Sequence, residues 1–227
     1  MVLIIIIGAA CNCCYQLSLT RKDSGIKDLL FVKTIWLNTY FLANIATRNA
    51  ALILCSLMMD LCVLSFLHRF VVHGSSCRLI LASCFFYGFR ALIQEIWYVP
   101  YPVGYNWGYP GIPSLFVSYG LTADFFYSGH VGICVLMYLE ASKEGWENGK
   151  LFALLTMIMQ WILMVVLRSH YTVDMVCGVI FAHYFYMISE NYCYLVDQHI
   201  FGSTIEKNKR KKLTIKVPIL SKRCVAP

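Results

Sequence analysis

Long apolar segments dominate this sequence and limit the folds that it can adopt. A helix needs about 20 mostly apolar residues to cross the hydrocarbon core of a bilayer, and such segments occur near 2–19, 48–71, 78–99, 128–144, 150–167 and 171–195. Of the 227 residues, 59% are hydrophobic and only 14% are charged, which is far from the balance of soluble globular domains. The sequence therefore predicts an all-α fold, a polytopic membrane helical bundle of about six transmembrane helices.

Three regions follow from the order of these segments. Residues 1–47 are predicted to form an N-terminal hydrophobic or interfacial region. Within it, 2–19 is either a retained span or a signal-like segment, and 29–47 either crosses the membrane or lies at its surface. Residues 48–196 form a membrane domain, and 197–227 form a basic cytosolic tail.

The basic residues are concentrated near the C-terminus. The net charge is +7, and five Lys or Arg residues fall within 207–212. Such a run at a membrane border usually marks the cytosolic side, although it could also contact anionic lipid headgroups. Because aromatic residues are not interleaved with these charges, we expect a membrane partner and no nucleic acid; self-association into a homo-oligomer is left open.

The eleven cysteines lack the spacing of a zinc site, and no metal is predicted.

A Ser-Gly-His triplet opens one of the apolar segments, in the sequence ADFFYSGHVG at 123–132. A helix N-terminus presents free N–H groups and the positive end of the helix dipole, which favour anions such as phosphate. Ser128 can cap the helix or donate to a ligand, and Gly129 allows a ligand to approach the backbone closely. His130 is therefore a candidate catalytic residue.

A second motif, RSHYTVD at 168–174, contains a histidine and an aspartate four residues apart. On a helix this spacing places His170 and Asp174 on the same face. A carboxylate in this position can fix the imidazole tautomer and raise its basicity, as in nucleophilic triads. Arg168 adds a permanent cation for phosphate oxygens. Either motif histidine alone could equally be a satisfied polar residue at a membrane boundary.

The membrane topology places both motif histidines on one side. If the basic tail is cytosolic, 171–195 enters from the opposite side, 150–167 runs outward and 128–144 runs inward. His130 and His170 then both lie at the non-cytosolic ends of their helices. The loop 100–127, which holds four of the six prolines, is expected to cover that end as a lid or rim.

Asp60 and Arg90 are the clearest cases of charged residues inside predicted spans. Ionisable groups at that depth are costly and often functional. Asp60 and Arg90 could pair with each other and lock two helices, or Arg90 could lie beneath a bound phosphate.

The two motifs together resemble a known family. The pattern Asp-x3-Ser-Gly-His at 124–130 and His-Tyr-Thr-Val-Asp at 170–174 resembles the sphingomyelin synthase branch of the type 2 phosphatidic acid phosphatase superfamily. The spelling Phe-Phe-Tyr-Ser-Gly-His-Val and the arginine ahead of His-Tyr-Thr are similar to plant phosphatidylcholine:diacylglycerol cholinephosphotransferases. The resemblance covers roughly 85–195, within the 48–196 region, which would then be the catalytic membrane domain.

The resemblance implies a reaction and roles for individual residues. A phospholipid donor would give its phospho-headgroup, phosphocholine above all, to a lipid alcohol acceptor, ceramide or diacylglycerol, without a cofactor. His170 matches the nucleophile that forms a phosphohistidine, Asp174 its orienting carboxylate and His130 the acid that protonates the departing alcohol. Asp124 matches the aspartate before the Ser-Gly-His block. The implied site faces the lumen or exterior, in the Golgi, the endoplasmic reticulum or the plasma membrane.

The sequence also departs from the hydrolytic members of that superfamily. Their Lys-x6-Arg-Pro block is absent, and the arginine that they carry six residues before the second histidine is Met164 here. Arg168 and Arg90 are then the cations available to bind phosphate. These differences favour a transferase, and a lipid phosphate phosphatase is the alternative.

Overall fold

A computed structural model of the chain describes residues 26–74, 76–97, 99–120 and 125–216, with side chains as far as 199. The predicted span 2–19 and the candidate residue Asp124 lie outside these ranges. In the described part the chain forms helices and no strands, and the helices are α1 (Leu29–Lys33), α2 (Ile35–Ala43), α3 (Ile45–His73), α4 (Arg78–Ile96), α5 (Gly129–Glu144), α6 (Glu147–Leu167) and α7 (Thr172–Lys216).

The prediction of an all-α membrane bundle is confirmed. Four helices of the described part are long and apolar enough to cross a membrane: α3, α4, α6 and the portion Thr172–His199 of α7. Helix α5 corresponds to the predicted span 128–144 but has only 16 residues, fewer than a full crossing needs.

The ambiguous segment 29–47 forms no single span. It is divided into α1 and α2, with 5 and 9 residues, and the first turn of α3. The buried amide of Asn38 donates to the carbonyl oxygens of Gly104 (3.0 Å) and Val166 (2.8 Å). This segment therefore packs beside the 99–120 loop and the end of α6.

Helix α5 lies at the centre of the bundle. It packs against α4, α6 and α7, while α3 packs against α6 and α4 against α7. Gly132 allows the close approach of α4, because a Cβ atom at that position would lie 1.9 Å from the ring of Phe86. Because α5 is enclosed by other helices, a side chain at its start is held in a protein environment rather than in lipid.

The end of the bundle away from His130 and His170 is joined by buried polar contacts. Arg78 makes two hydrogen bonds to the carboxylate of Glu140, at 2.8 and 2.7 Å, and the hydroxyl of Tyr186 donates to the same carboxylate at 2.9 Å. Helix α7 continues beyond 196, and Asp197 accepts a hydrogen bond of 2.6 Å from the amide of Cys77. The helix thus crosses the boundary predicted between the membrane domain and the basic tail.

Candidate active site

His130 is the second residue of α5. Ser128 is the N-cap of this helix, and its hydroxyl oxygen accepts a hydrogen bond from the amide of Val131 at 3.4 Å. The cap satisfies one of the free N–H groups that every helix start presents. The ring of Trp107, from the loop, lies 6.0 Å from the His130 ring. The loop therefore covers the start of α5.

His170 lies in the short connection between α6 and α7. Helix α6 ends because Arg168 adopts the left-handed conformation, with φ at 55°. His170 is 3% exposed, and its Nδ1 lies 3.6 Å from Oδ2 of Asp174, in the first turn of α7. The same carboxylate oxygen accepts a 3.0 Å hydrogen bond from the amide of Tyr171. Asp174 is therefore fixed behind His170.

The two histidine rings face each other across a short gap. Their centroids are 6.5 Å apart and their planes are inclined by 66°. Rings at this centroid separation are close enough for a single phosphate group to contact both imidazoles. The expected proximity of the rings is present in the structure, while their catalytic roles remain predictions.

Arg90 and Gly129 lie on the α4 side of His130. The Arg90 Nε donates a 2.7 Å hydrogen bond to the carbonyl oxygen of Tyr127. Arg90, Gly129 and His130 together line a cavity of about 480 Å³. Arg90 is thus positioned at the edge of the histidine pair.

Asp60 contacts the loop that covers this cavity. Its carboxylate accepts hydrogen bonds from the hydroxyl of Ser114 (2.7 Å) and from the amides of Leu115 (3.0 Å) and Phe116 (3.1 Å). The sequence suggested Arg90 as the partner of Asp60, whereas these three contacts show that Asp60 anchors the loop.

Arg168 connects three segments of the chain. Its Nη1 donates to the carbonyl oxygen of Val103, its Nη2 donates to that of Phe31 at 3.4 Å, and the guanidinium lies 5.4 Å from the Phe31 ring centroid. The terminal nitrogens are therefore engaged by backbone carbonyls. The Nε is left as the nitrogen that could bind a ligand.

Several buried polar atoms near the histidines have no hydrogen-bond partner among the described residues. They are Asn106 Nδ2, Arg168 Nε and Ser169 Oγ; His170 Nδ1 also lacks a hydrogen bond, but it faces the Asp174 carboxylate at 3.6 Å. The amide of Asn106 donates to the carbonyl oxygen of Leu167 at 2.9 Å, so the loop residue lies beside the end of α6. Since buried polar groups are normally paired, this cluster indicates a place for a polar ligand.

Sequence reasoning missed three residues that shape the site. Asp28 caps α1 and also accepts hydrogen bonds from the amide (2.6 Å) and hydroxyl (2.9 Å) of Thr172. An aspartate before an apolar run is a helix-start signal, but its second contact is visible only in the fold. Trp107 lies outside both motifs, and Phe125 lies inside the first motif without a predicted role; its ring is 6.0 Å from that of His170.

Tyr171 follows the nucleophile candidate and closes the site towards the loop. Burial, followed by the carboxylates of Asp174 and Asp28, raises the pKa of Tyr171. The phenol therefore stays protonated near neutral pH and donates to the carbonyl oxygen of Pro100 at 3.1 Å.

Among the described residues, no group of three or more His, Cys, Asp or Glu side chains could hold a metal ion.

Comparison with known proteins identifies a family for the chain. Residues 27–191 match the model of the family described as AtPDCT1/2. No curated protein and no solved structure matches the chain. The matched region includes both histidines and Asp174.

Proposed function

The chain belongs to the AtPDCT1/2 family, a family of phosphatidylcholine:diacylglycerol cholinephosphotransferases, and on this premise we propose that it transfers phosphocholine from a phosphatidylcholine donor to a diacylglycerol acceptor. The observation that carries the proposal is the 6.5 Å separation of the His130 and His170 rings, with Asp174 behind His170. A nucleophile, its orienting carboxylate and an acid–base group on the other side of one phosphorus atom are what such a transfer requires.

The first step forms a covalent intermediate. Asp174 faces Nδ1 of His170, so it keeps the proton on that nitrogen and leaves the lone pair of Nε2 for attack on phosphorus. The bond between phosphorus and the diacylglycerol oxygen breaks, and protonated His130 gives its proton to that oxygen. Free diacylglycerol leaves, and phosphocholine remains bound to Nε2 of His170.

The second step reverses these events with a new acceptor. Neutral His130 removes the proton from the hydroxyl of a second diacylglycerol, whose oxygen attacks phosphorus. The bond between phosphorus and Nε2 breaks, and a new phosphatidylcholine is released. His130 is again protonated and His170 is again neutral, so no proton is lost or gained over the cycle. Neither step needs a cofactor.

Neutral and cationic donors around the histidines support phosphate binding. Arg168 Nε, Asn106 Nδ2 and Ser169 Oγ are buried without hydrogen-bond partners among the described residues. The N-terminus of α5, beginning at Gly129, adds the positive end of a helix dipole. Fixed donors in a water-poor site stabilise the charge that develops on the phosphoryl oxygens. Asp124, which the resemblance adds to the substrate-binding residues, lies outside the described residues.

Exclusion of water favours transfer over hydrolysis. Trp107 and Phe125, which are 4% and 3% exposed, pack beside His130 and His170 respectively. Met164, at the position where hydrolytic enzymes of the resembled superfamily carry arginine, is fully buried, and its sulfur lies 3.5 Å from the Ser128 hydroxyl oxygen. An apolar wall at this point supports an acceptor alcohol rather than water as the second nucleophile.

The family favours diacylglycerol as the acceptor, while ceramide, suggested by the sphingomyelin synthase resemblance, is the competing acceptor.

The proposed site lies on the lumenal or exterior side of the membrane. His130 and His170 are at the end of the bundle where α7 begins. The basic run 207–212 lies near the C-terminal end of the same helix. Basic segments favour the cytosolic side.

The test is the variant His170→Ala in proteoliposomes that contain phosphatidylcholine and a fluorescent diacylglycerol. We expect the formation of fluorescent phosphatidylcholine to fall by at least about 10³-fold. His183→Ala is the matched control, because His183 is an exposed histidine on the same helix as Asp174, and it should retain activity. Undiminished product from His170→Ala would overturn the proposal. Release of free phosphocholine without a new lipid would assign the chain to the lipid phosphatases instead. A parallel assay with fluorescent ceramide in place of diacylglycerol tests ceramide as the acceptor.

A further inference from the structure

Helices α3 and α4 leave an open groove between them. They follow each other along the chain, but in the described part they are not among the helix pairs that pack extensively along their lengths. Helix α5 forms the floor of the gap, because its residues His130, Ile133 and Met137 line it. We propose that this α3–α4 groove binds the diacylglycerol portion of both substrates, an inference that rests on the function proposed above.

Three cavities form one continuous path. The cavity at His130, of about 480 Å³, shares Val63 and Ile133 with a second cavity of about 230 Å³. The second cavity shares Phe70 and Ile80 with a third, of about 430 Å³, that is also lined by Gly74 and Cys77. The groove therefore extends from His130 to the C-terminal end of α3.

The lining of the groove changes from polar to apolar along its length. Arg90, Tyr87 and Ser118 accompany His130 at one end. Beyond Val63 the lining is almost wholly apolar, and the one hydroxyl group there, on Ser83, donates to the carbonyl oxygen of its own helix at 2.8 Å. A lipid with a polar glycerol end and long acyl chains matches this division.

The length of the groove also fits one lipid leaflet. Its lining along α3 runs from Met59 to Val71, a rise of about 18 Å at 1.5 Å per residue. Half of the hydrocarbon core of a bilayer is about 15 Å thick. An acyl chain in the groove can therefore lie parallel to the chains of the surrounding leaflet, and it can enter from the side.

The position of His130 decides which part of the substrate occupies the groove. His130 lines it, whereas His170 is not among the residues that line these three cavities. In the mechanism, His130 exchanges its proton with the diacylglycerol oxygen, and His170 holds the phosphocholine. The glyceride of the donor and the acceptor diacylglycerol thus use the same groove in turn, and the first must leave before the second enters.

Photocrosslinking tests this assignment directly. A diacylglycerol with a diazirine in the middle of an acyl chain is added to the full-length protein in nanodiscs, and the adducts are mapped by mass spectrometry. We expect adducts on groove residues of α3, α4 and α5, and at least a fivefold lower yield in Val63→Trp, which fills the groove. Leu61→Trp is the matched control, because Leu61 is an exposed α3 residue outside the groove. Equal yields in the two variants, or adducts mainly on α6, would overturn the proposal.

A native thiol gives a second measurement that needs no tryptophan variant. Cys84 is exposed and lines the apolar part of the groove. Unlabelled diacylglycerol should slow its alkylation by at least threefold and leave a cysteine introduced by Leu61→Cys unaffected; equal protection of both sites would contradict the inference. His170→Ala should still form the adducts, because His170 does not line the groove. If the wild type forms the adducts but has no transferase activity, the proposed function is refuted while the groove assignment stands. Activity with no groove adducts would refute the groove alone.

Discussion

The amide nitrogen of Ser128 donates a 2.9 Å hydrogen bond to the carbonyl oxygen of Asp174. This bond joins the residue before α5 to the first turn of α7, so it sets the relative height of the segments that carry His130 and His170. Gly178 permits the contact, since a Cβ atom there would lie 2.8 Å from the Ser128 carbonyl oxygen. Because that neighbour is backbone, it cannot rotate away as a flexible side chain could.

The variant Gly178→Ala should separate the two motifs. We expect a loss of transferase activity of about tenfold or more, since misplacement of catalytic groups by about 1 Å can cost about 10²-fold in rate. Gly88→Ala is the matched control, because it replaces a helical glycine of α4 that has no atom within 4 Å of the new Cβ. That change should stabilise the protein by up to about 1 kcal/mol. Activity assays and thermal unfolding in detergent check both variants, and equal behaviour would refute this role of Gly178.

The variant Asp174→Asn should impair chemistry more than stability. The amide can keep an acceptor for the Tyr171 N–H but cannot act as the anionic partner of His170 Nδ1, so the imidazole tautomer is no longer fixed. We expect kcat to fall by about 10²-fold or more, with little change in KM. Asp28→Asn is the comparison, because Asp28 caps helices without contacting a histidine. An amide in place of the carboxylate has one acceptor oxygen fewer for Thr172, so the change should lower stability by about 1 kcal/mol and leave kcat within a few-fold. The reverse pattern would contradict the assignment.

Asp60 is expected to hold the loop over the histidine end of the groove. Asp60→Ala removes the acceptor of three hydrogen bonds from residues 114–116. The loosened loop should admit water, so the ratio of free phosphocholine to transferred phosphocholine should rise several-fold, as measured with choline-labelled donor. Ser114→Ala leaves both amide contacts to Asp60 in place and should produce a smaller rise. An unchanged ratio in Asp60→Ala would exclude the loop as a water barrier.

The buried ion pair at the other end of the bundle should matter for stability and not for catalysis. Arg78→Met leaves the Glu140 carboxylate, 5% exposed, without its cation. Removal of one partner from a buried pair costs about 3–5 kcal/mol, whereas replacing both partners with apolar residues is often neutral. The double variant Arg78→Met/Glu140→Leu should therefore unfold at a higher temperature than Arg78→Met alone.

An exposed pair provides the control for that comparison. Lys143 and Glu190 are joined at 2.8 Å, but the Lys143 side chain is 57% exposed. Lys143→Ala should change the free energy of unfolding by no more than about 1 kcal/mol. If this variant were as unstable as Arg78→Met, burial would not explain the effect.

The local sequence was sufficient where a short motif carries its own geometry. The Ser-Gly-His triplet predicts a capped helix start, and Ser128 caps α5. The spacing of His170 and Asp174 predicts two residues on one helical face; their side chains lie 3.6 Å apart, although His170 precedes α7 and only Asp174 lies on it. It was less informative about Arg168 and Asp60, because the same charge that could bind phosphate or an arginine instead binds backbone groups from distant segments.

Hydropathy and motif spacing by themselves determined that the chain is a helical membrane protein with His130 and His170 at one end of the bundle, since both depend on contacts within a few residues or on transfer from water to lipid. The tertiary structure decided the rest: the central position of the short α5, the closure of the site by Trp107 and Phe125, the contact of Asp28 with Thr172, and the groove between α3 and α4. These features depend on pairs of residues up to 144 positions apart. Their proximity results from how the helices pack, which no local pattern encodes.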